Sequence, residues 1–394
     1  MDRRAGERDD AGAGGGLSAE DAVRRLLEPL LTLTSPSPTG WRLVGWDADQ
    51  GVSLTLGRGE SLLLVEAEAR DDTRACFART ARFNVVVRPQ FRGDEALTDD
   101  ERRVAEQVVR ILRDRERLLP VLERPAASRP NEVREVEVDR VLVPEGRGHY
   151  YVNPYVGCMI GCDFCYAAHR SDLSRALGGL SEMPWGRYVD VKINAAEVLR
   201  REVKEHPPGI VRLSPIVTDP YQPLERRFRI TRQCLEVLLE AGFTPLVLTR
   251  AARVLDDVDL LARFPRAAVG LSVPTDDDAM RRIFEPGGDP IDERLDALAR
   301  CHAAGIRTFG VVQPMLPMTP GRLVEKMAPH VSVVRIDRMH ELSRSRALYE
   351  AAGRVDASED AFFDETAAAL RAGFGAAGVA VDDLDDVGDA LGLV

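Results

Sequence analysis

Apolar positions along the chain follow two rhythms. In the first third, helical and strand periods are mixed. Within "SAEDAVRRLLEPLL", Val23, Leu26, Leu27, Leu30 and Leu31 recur at helical spacing, and Ser18 and Asp21 stand at capping-box spacing. Pro29 predicts a kink or an early end to this helix. "WRLVGWDADQGVSLTLGRGESLLLVEAEA" predicts three strands joined by tight Asp- or Gly-containing turns, and "FNVVVRP" a fourth. A second helix is predicted from "LTDDERRVAEQVVRILRDRERLL", with Thr98 and Glu101 at capping-box spacing and Val104, Val108, Ile111 and Leu112 on one face. Together these segments predict an α+β unit over residues 17–125, behind a charged, glycine-rich disordered tail over 1–16. No catalytic constellation is visible in this unit. Its single Cys76 reads as a small core hydrophobe.

The second rhythm begins after a proline- and charge-rich stretch, 126–144, that reads as a linker. "GIVRLSPIV", "TPLVLTR", "AAVGLSVP", "IRTFGVVQP" and "VSVVRID" are short apolar runs rich in β-branched residues. Amphipathic stretches such as "RITRQCLEVLLEAG" and "PIDERLDALARCHAAG" separate most of them. Such alternation predicts βαβ units around a parallel sheet. With one strand before residue 158 there are about six units, so the expected fold is α/β, a partial (β/α)6 TIM-like barrel over 145–345. A helical extension over 346–394 is expected to follow. Function in such a barrel gathers where strands end and loops begin.

Composition narrows the classes. No apolar run approaches the length of a membrane span, and the N-terminus lacks the apolar core of a secretion signal, so the expected compartment is the cytoplasm. A net charge of −11 argues against a broad nucleic-acid surface, though not against a local basic groove.

The chemistry concentrates in "YVNPYVGCMIGCDFCYAAHR", which holds Cys158, Cys162 and Cys165 within eight positions, three of the six cysteines of the chain. In a reducing compartment, clustered cysteines point to metal or catalysis, and soft thiolates select zinc or iron–sulfur clusters. His169 would complete a Cys3His zinc set. Alternatively, a four-iron cluster held by three cysteines keeps one iron open for a ligand. Gly157 and Gly161 suit a loop that curls closely around such a group. Cys234 and Cys301 fall on amphipathic helices and read as core.

The C-x3-C-x2-C pattern, with Phe164 before its last cysteine, resembles the radical S-adenosylmethionine superfamily over roughly residues 145–340. "NPYVGCMIGCDFCYA", "DVKINAAEVLRRE", "TDPYQPLERRFRITR" and "RIFEP" resemble the branch related to spore photoproduct lyase. The resemblance implies an enzyme that reductively cleaves S-adenosylmethionine at a [4Fe-4S] cluster on Cys158, Cys162 and Cys165 to make a radical, most simply 5′-deoxyadenosyl. Flavodoxin or ferredoxin is the implied electron donor. In that branch a serine, a lysine and a serine at strand ends contact the cofactor. Ser214, Arg250 and Ser272 match those places, Arg250 replacing the lysine with a planar cationic fork. Phe164 would pack beside the adenine, and Thr249 and Gln313 are further strand-end candidates. Tyr166, Asp219, Gln222 and Glu225 are the candidate catalytic residues, with Glu285, Asp337, Arg338 and His340 behind them. Photoproduct-type DNA repair is a secondary reading. The chain is acidic, and Arg212 and Leu213 stand where repair enzymes carry a hydrogen-donating cysteine, so a small molecule or peptide is the expected substrate rather than DNA. A non-catalytic iron–sulfur sensor or scaffold is the alternative of a different class.

Overall fold

A computed structural model describes residues 18–31, 40–49, 51–70, 72, 75–90, 96–118, 131–180, 183–214, 216–340, 342–381 and 391–393. The expected tail, and residues 126–130 of the expected linker, lie outside these. Helix α1 (Ala19–Leu31) carries Pro29 within its span rather than ending before it. An antiparallel sheet follows, built from β1 (Arg42–Asp47), β2 (Val52–Arg58), β3 (Ser61–Ala69), β4 (Ala78–Arg79) and β5 (Phe83–Pro89) in the order β1-β2-β3-β5-β4. Helix α2 (Asp99–Arg115) opens with the predicted capping box: Thr98 Oγ1 accepts from the Glu101 amide at 3.3 Å, and Glu101 Oε2 accepts from the Thr98 amide at 2.9 Å. A cap of this kind stabilises a helix by about 1 kcal/mol. Leu26, Leu27, Val65, Phe83, Val85, Val108 and Leu112 make the core of this unit.

The stretch expected to be a linker is partly structured. Strand β6 (Glu132–Val136) runs parallel to β10 (Tyr188–Lys192), and β9 (Tyr155–Val156) pairs on the other side of β10. The chain leading into the cysteines is therefore pinned in a small sheet of its own.

The main sheet has eight described strands. In sequence order they are β7 (Leu142–Gly146), β8 (His149–Val152), β11 (Ile210–Leu213), β12 (Thr244–Thr249), β13 (Ala268–Ser272), β14 (Arg307–Val312), β15 (Val333–Ile336) and β16 (Ala380–Val381). Their order is β16-β15-β14-β13-β12-β11-β8-β7, parallel from β8 to β16, with β7 antiparallel at the edge. Strands β8 to β15 are the six units expected of a partial barrel. The segment expected to be only helical also supplies β16.

Both faces of the sheet are apolar, as βαβ packing demands. Val211, Leu213, Val247, Val269, Leu271 and Val334 join the larger core with the helices. Ile210, Leu246, Ala268, Phe309, Val311 and Val333 form a second cluster, joined by Leu391 and Leu393 from the C-terminal segment. This second cluster marks the inner face. Side chains alternate along a strand, so each inner residue predicts which polar group faces inward two or four positions on.

Candidate active site

Counting outward from the inner cluster places Ser214, Arg250, Ser272, Gln313 and Asp337 on the inner face at the strand ends, after Ile210, Leu246, Ala268, Phe309 and Val333 respectively. Asn153 joins them, because His149 pairs with Ile210 and Tyr151 with Arg212. Thr249 has the opposite parity. It is buried and turned away from the mouth, donating to Asp219 Oδ1 at 2.5 Å and accepting from the Ala251 amide at 3.0 Å.

Two inward groups have no hydrogen-bond partner among the described residues although they are about 1% exposed: both polar atoms of the Asn153 amide, and Ser272 Oγ. Native interiors rarely leave such groups unpaired without a ligand to meet them. Asn153 was not singled out from sequence. Its signal is an amide standing directly after an inner strand and ahead of the cysteines.

Arg250 reaches across this mouth. Nε donates to Glu285 Oε1 at 2.6 Å and Nη2 to the Gln313 carbonyl at 3.2 Å. The guanidinium lies 5.7 Å from the Phe164 ring centre. Glu285 is fully buried and also faces Arg294, itself fully buried, at 2.7 Å. Arg294 in turn donates to the Ser272 carbonyl at 2.9 Å. One carboxylate thus fixes two cations and the end of β13.

The cysteine loop is held from several sides. Gly157 has φ +90°, and a Cβ there would lie 2.3 Å from the Tyr188 carbonyl, so only glycine fits against β10. Gly161 has φ +64°. Gln222 lies beneath: Oε1 accepts from the Met159 amide at 3.0 Å, and Nε2 donates to the Gly157 carbonyl at 3.2 Å and to Thr218 Oγ1 at 2.8 Å. The Gly287 amide, from the loop after Glu285, donates to the Ile160 carbonyl at 3.0 Å. None of the six cysteines is in a disulfide; Cys158 and Cys162 are buried and Cys165 is half-buried. Burial pushes the Cys158 thiol up to about 12, and Cys162 well above its ordinary value, against the opposing pull of Arg250. Such sulfurs keep their protons until a soft metal displaces them.

The residues of "TDPYQPLE" therefore sit under the loop rather than in the mouth. Asp219, which burial raises, accepts from the Tyr221 amide at 2.9 Å and the Arg250 amide at 2.8 Å as well as from Thr249. Glu225 accepts a short hydrogen bond from the Tyr155 hydroxyl and one from the Thr231 amide at 3.1 Å, and burial raises it to about 7. Tyr166, by contrast, keeps 43% of its surface exposed directly after Cys165.

On the far side, Asp337 Oδ2 accepts from Gln313 Nε2 at 2.9 Å and meets His340 Nε2 at 2.9 Å. That hydrogen bond holds His340 above its usual value. Arg338 turns away to Asp360 and Asp364. The side chain of His169 lies outside the described set. Cys234 and Cys301 are core, as expected, and Cys76 is half-buried. Among the described residues no three His, Cys, Asp or Glu side chains converge as ligands of one metal ion. A cluster does not ask for that, since each thiolate binds a different iron.

Comparison with known proteins bears on this site. The family model described as "Radical SAM superfamily" matches residues 152–328. A protein of Methanocaldococcus jannaschii, MJ0683, is 29% identical over 168 residues, 43% of this chain and 61% of the relative. Protein ORF301 of Acidianus two-tailed virus is 26% identical over 214 residues, 54% and 69% of the two chains. Rv2578c of Mycobacterium tuberculosis is 30% identical over 175 residues, 43% and 50%. The chain thus spans about half to two thirds of the relatives it matches. Among solved structures, a mutant spore photoproduct lyase aligns with a TM-score of 0.45 at 14% identity, covering 74% of this chain and 87% of that one. Streptococcus suis SuiB bound to S-adenosylmethionine aligns with a TM-score of 0.34 at 12% identity, covering 66% and 54%.

Proposed function

We propose that this chain is a radical enzyme acting on an organic substrate, because the radical SAM superfamily model matches residues 152–328 and that superfamily uses a [4Fe-4S] cluster and S-adenosylmethionine. Cys158, Cys162 and Cys165 would hold the cluster. When bound, cluster and cofactor together supply an electron and a sulfonium whose carbon–sulfur cleavage yields a hydrogen-abstracting radical, most simply 5′-deoxyadenosyl. The observation that carries the reading is the pairing of a three-thiol loop with unsatisfied inward amide and hydroxyl groups at Asn153 and Ser272 on the same rim.

Each residue has a task. Arg250 would pair with the carboxylate of the cofactor, while Glu285 keeps the guanidinium from swinging. Asn153, Ser214, Ser272 and Gln313 would offer polar groups to the cofactor at the strand ends. Phe164, buried beside Cys165, shields the adenine side from water. Tyr166 faces the substrate. Asp219, Gln222, Glu225 and Thr249 position the loop and the strand ends from below and touch no reactant. The protein supplies placement and dryness, and the cofactor the hard chemistry.

The electron donor is a flavodoxin or ferredoxin, and the compartment is the cytoplasm. Among the described residues no helix is long and apolar enough to cross a membrane. The net charge of −11 favours a small molecule or peptide over DNA as substrate.

The test is anaerobic reconstitution with iron and sulfide. The brown protein, given dithionite and S-adenosylmethionine, is expected to release 5′-deoxyadenosine. A brown protein that leaves the cofactor intact would instead be an iron–sulfur sensor or scaffold, and a colourless one with tightly held zinc would refute the cluster.

A further inference from the structure

Helix α3 (Ala167–Leu177) leaves the cysteine loop and ends in the N-terminal core. Ala167 and Ala168 are buried beside the loop, whereas Leu173 and Leu177 pack into the N-terminal core with Leu26, Leu27 and Val65. Between these ends stands Arg170. Its Nη1 lies 2.6 Å from Glu66 Oε1, and its Nη2 donates to Glu66 Oε2 at 2.9 Å, a two-pronged contact between a guanidinium and a carboxylate. The side chains are only 11% and 5% exposed. The same guanidinium lies 5.0 Å from the Tyr166 ring centre, and Tyr166 follows Cys165 directly.

Glu66 itself is firmly set. It lies on β3, in register with Ser53 of β2 on one side and Val86 of β5 on the other. A buried carboxylate in a central strand adds nothing to an apolar core and is tolerated only with its charge met. Here the charge is met from outside the unit. Two further contacts cross the same seam: the Tyr151 hydroxyl donates to Asp47 Oδ2 at 2.6 Å, and Lys192 Nζ to Asp49 Oδ2 at 2.5 Å. Tyr151 is an inner-face residue of β8, so the N-terminal sheet reaches the barrel interior there.

We propose that Glu66 is a positioning residue for the cysteine loop: through Arg170 and Tyr166 it fixes where Cys165 stands, so the N-terminal unit is a structural half of the reaction centre. The kinetic part of this inference rests on the function proposed above, while the structural part does not.

The experiment uses the full chain with Glu66→Gln and Arg170→Lys. Glu28→Gln is the control, because it breaks an exposed pair with Arg115 in the same unit. In iron-free protein, amide hydrogen exchange over residues 158–170 is expected to quicken by about tenfold in Glu66→Gln and Arg170→Lys and to stay at the wild-type rate in Glu28→Gln. After reconstitution, the KM for S-adenosylmethionine in 5′-deoxyadenosine release is expected to rise by about tenfold in Glu66→Gln, with a smaller change at saturating cofactor. Wild-type exchange over 158–170 in Glu66→Gln, or equal quickening in Glu28→Gln, overturns the brace even in an enzyme that cleaves its cofactor. Quickened exchange in a protein whose wild type cleaves nothing supports the brace and overturns the functional reading instead.

Discussion

The interior charge cluster of Glu285, Arg250 and Arg294 allows a magnitude to be worked from the structure. Glu285→Gln keeps the shape of the side chain and removes its charge. Two cations then lose their counter-ion: Arg294, fully buried, and Arg250, whose side chain is 15% exposed. Removing one member of a buried ion pair destabilises by about 3–5 kcal/mol. Arg294 retains carbonyl acceptors at Asp289 and Ser272, and Arg250 retains the Gln313 carbonyl, which points to the lower end, about 3 kcal/mol. In a chain of this size that loss lowers the melting temperature by roughly 4 °C. Urea unfolding followed by circular dichroism, with an unchanged slope against urea, measures the free energy directly. Arg294→Met in the Glu285→Gln background should restore part of the loss, because the stranded cation is gone, and a double-mutant cycle should return a coupling above about 1 kcal/mol. A Glu285→Gln protein within about 0.5 kcal/mol of wild type, as at an ordinary surface site, would refute the view that this carboxylate anchors the barrel mouth.

Three further outcomes are expected. Glu225 has a folded pKa raised by burial to about 7, from 4.5, so the folded state holds the extra proton. Its contribution is fully present below about pH 4.5 and is lost as pH rises to about 7, a change of roughly 3 kcal/mol. The difference in unfolding free energy between wild type and Glu225→Gln, measured across that window, should carry this slope, and a flat difference would contradict it. Gln222→Leu leaves the Met159 amide without its acceptor and should destabilise by about 1–3 kcal/mol while lowering iron retention after reconstitution; unchanged iron content would contradict its role under the loop. Cys165→Ala should abolish 5′-deoxyadenosine release and reduce bound iron, as checked by iron and sulfide analysis, with little change in far-ultraviolet dichroism.

Much of this was legible in sequence. Helical spacing and capping pairs located α1 and α2, and the capping box at Thr98 and Glu101 forms as read. Alternating β-branched runs and amphipathic stretches gave the six barrel units, since each run must be covered by a helix. The cysteine spacing located the loop. The expected linker, however, contains β6, whose partner β10 lies more than fifty residues away and leaves no local signal.

What the sequence determined by itself was the first two helices, the six barrel units and the identity of the thiols, because these depend on short-range spacing. What only the tertiary structure decided was which neighbouring polar residue faces the mouth. In a parallel sheet buried on both sides, the alternation that would separate Thr249 from Arg250 disappears, and the inner face is known only once Leu246 and Phe309 share a cluster. By the same reasoning Asp219, Gln222 and Glu225, read as catalytic from their place after a strand, lie beneath the loop because their partners, backbone groups together with the Thr249, Thr218 and Tyr155 hydroxyls, are brought there by folding. The contact of Glu66 with Arg170 joins residues 104 positions apart. No local pattern encodes such a pair, and only the docking of the helix after the cysteines on the N-terminal unit creates it.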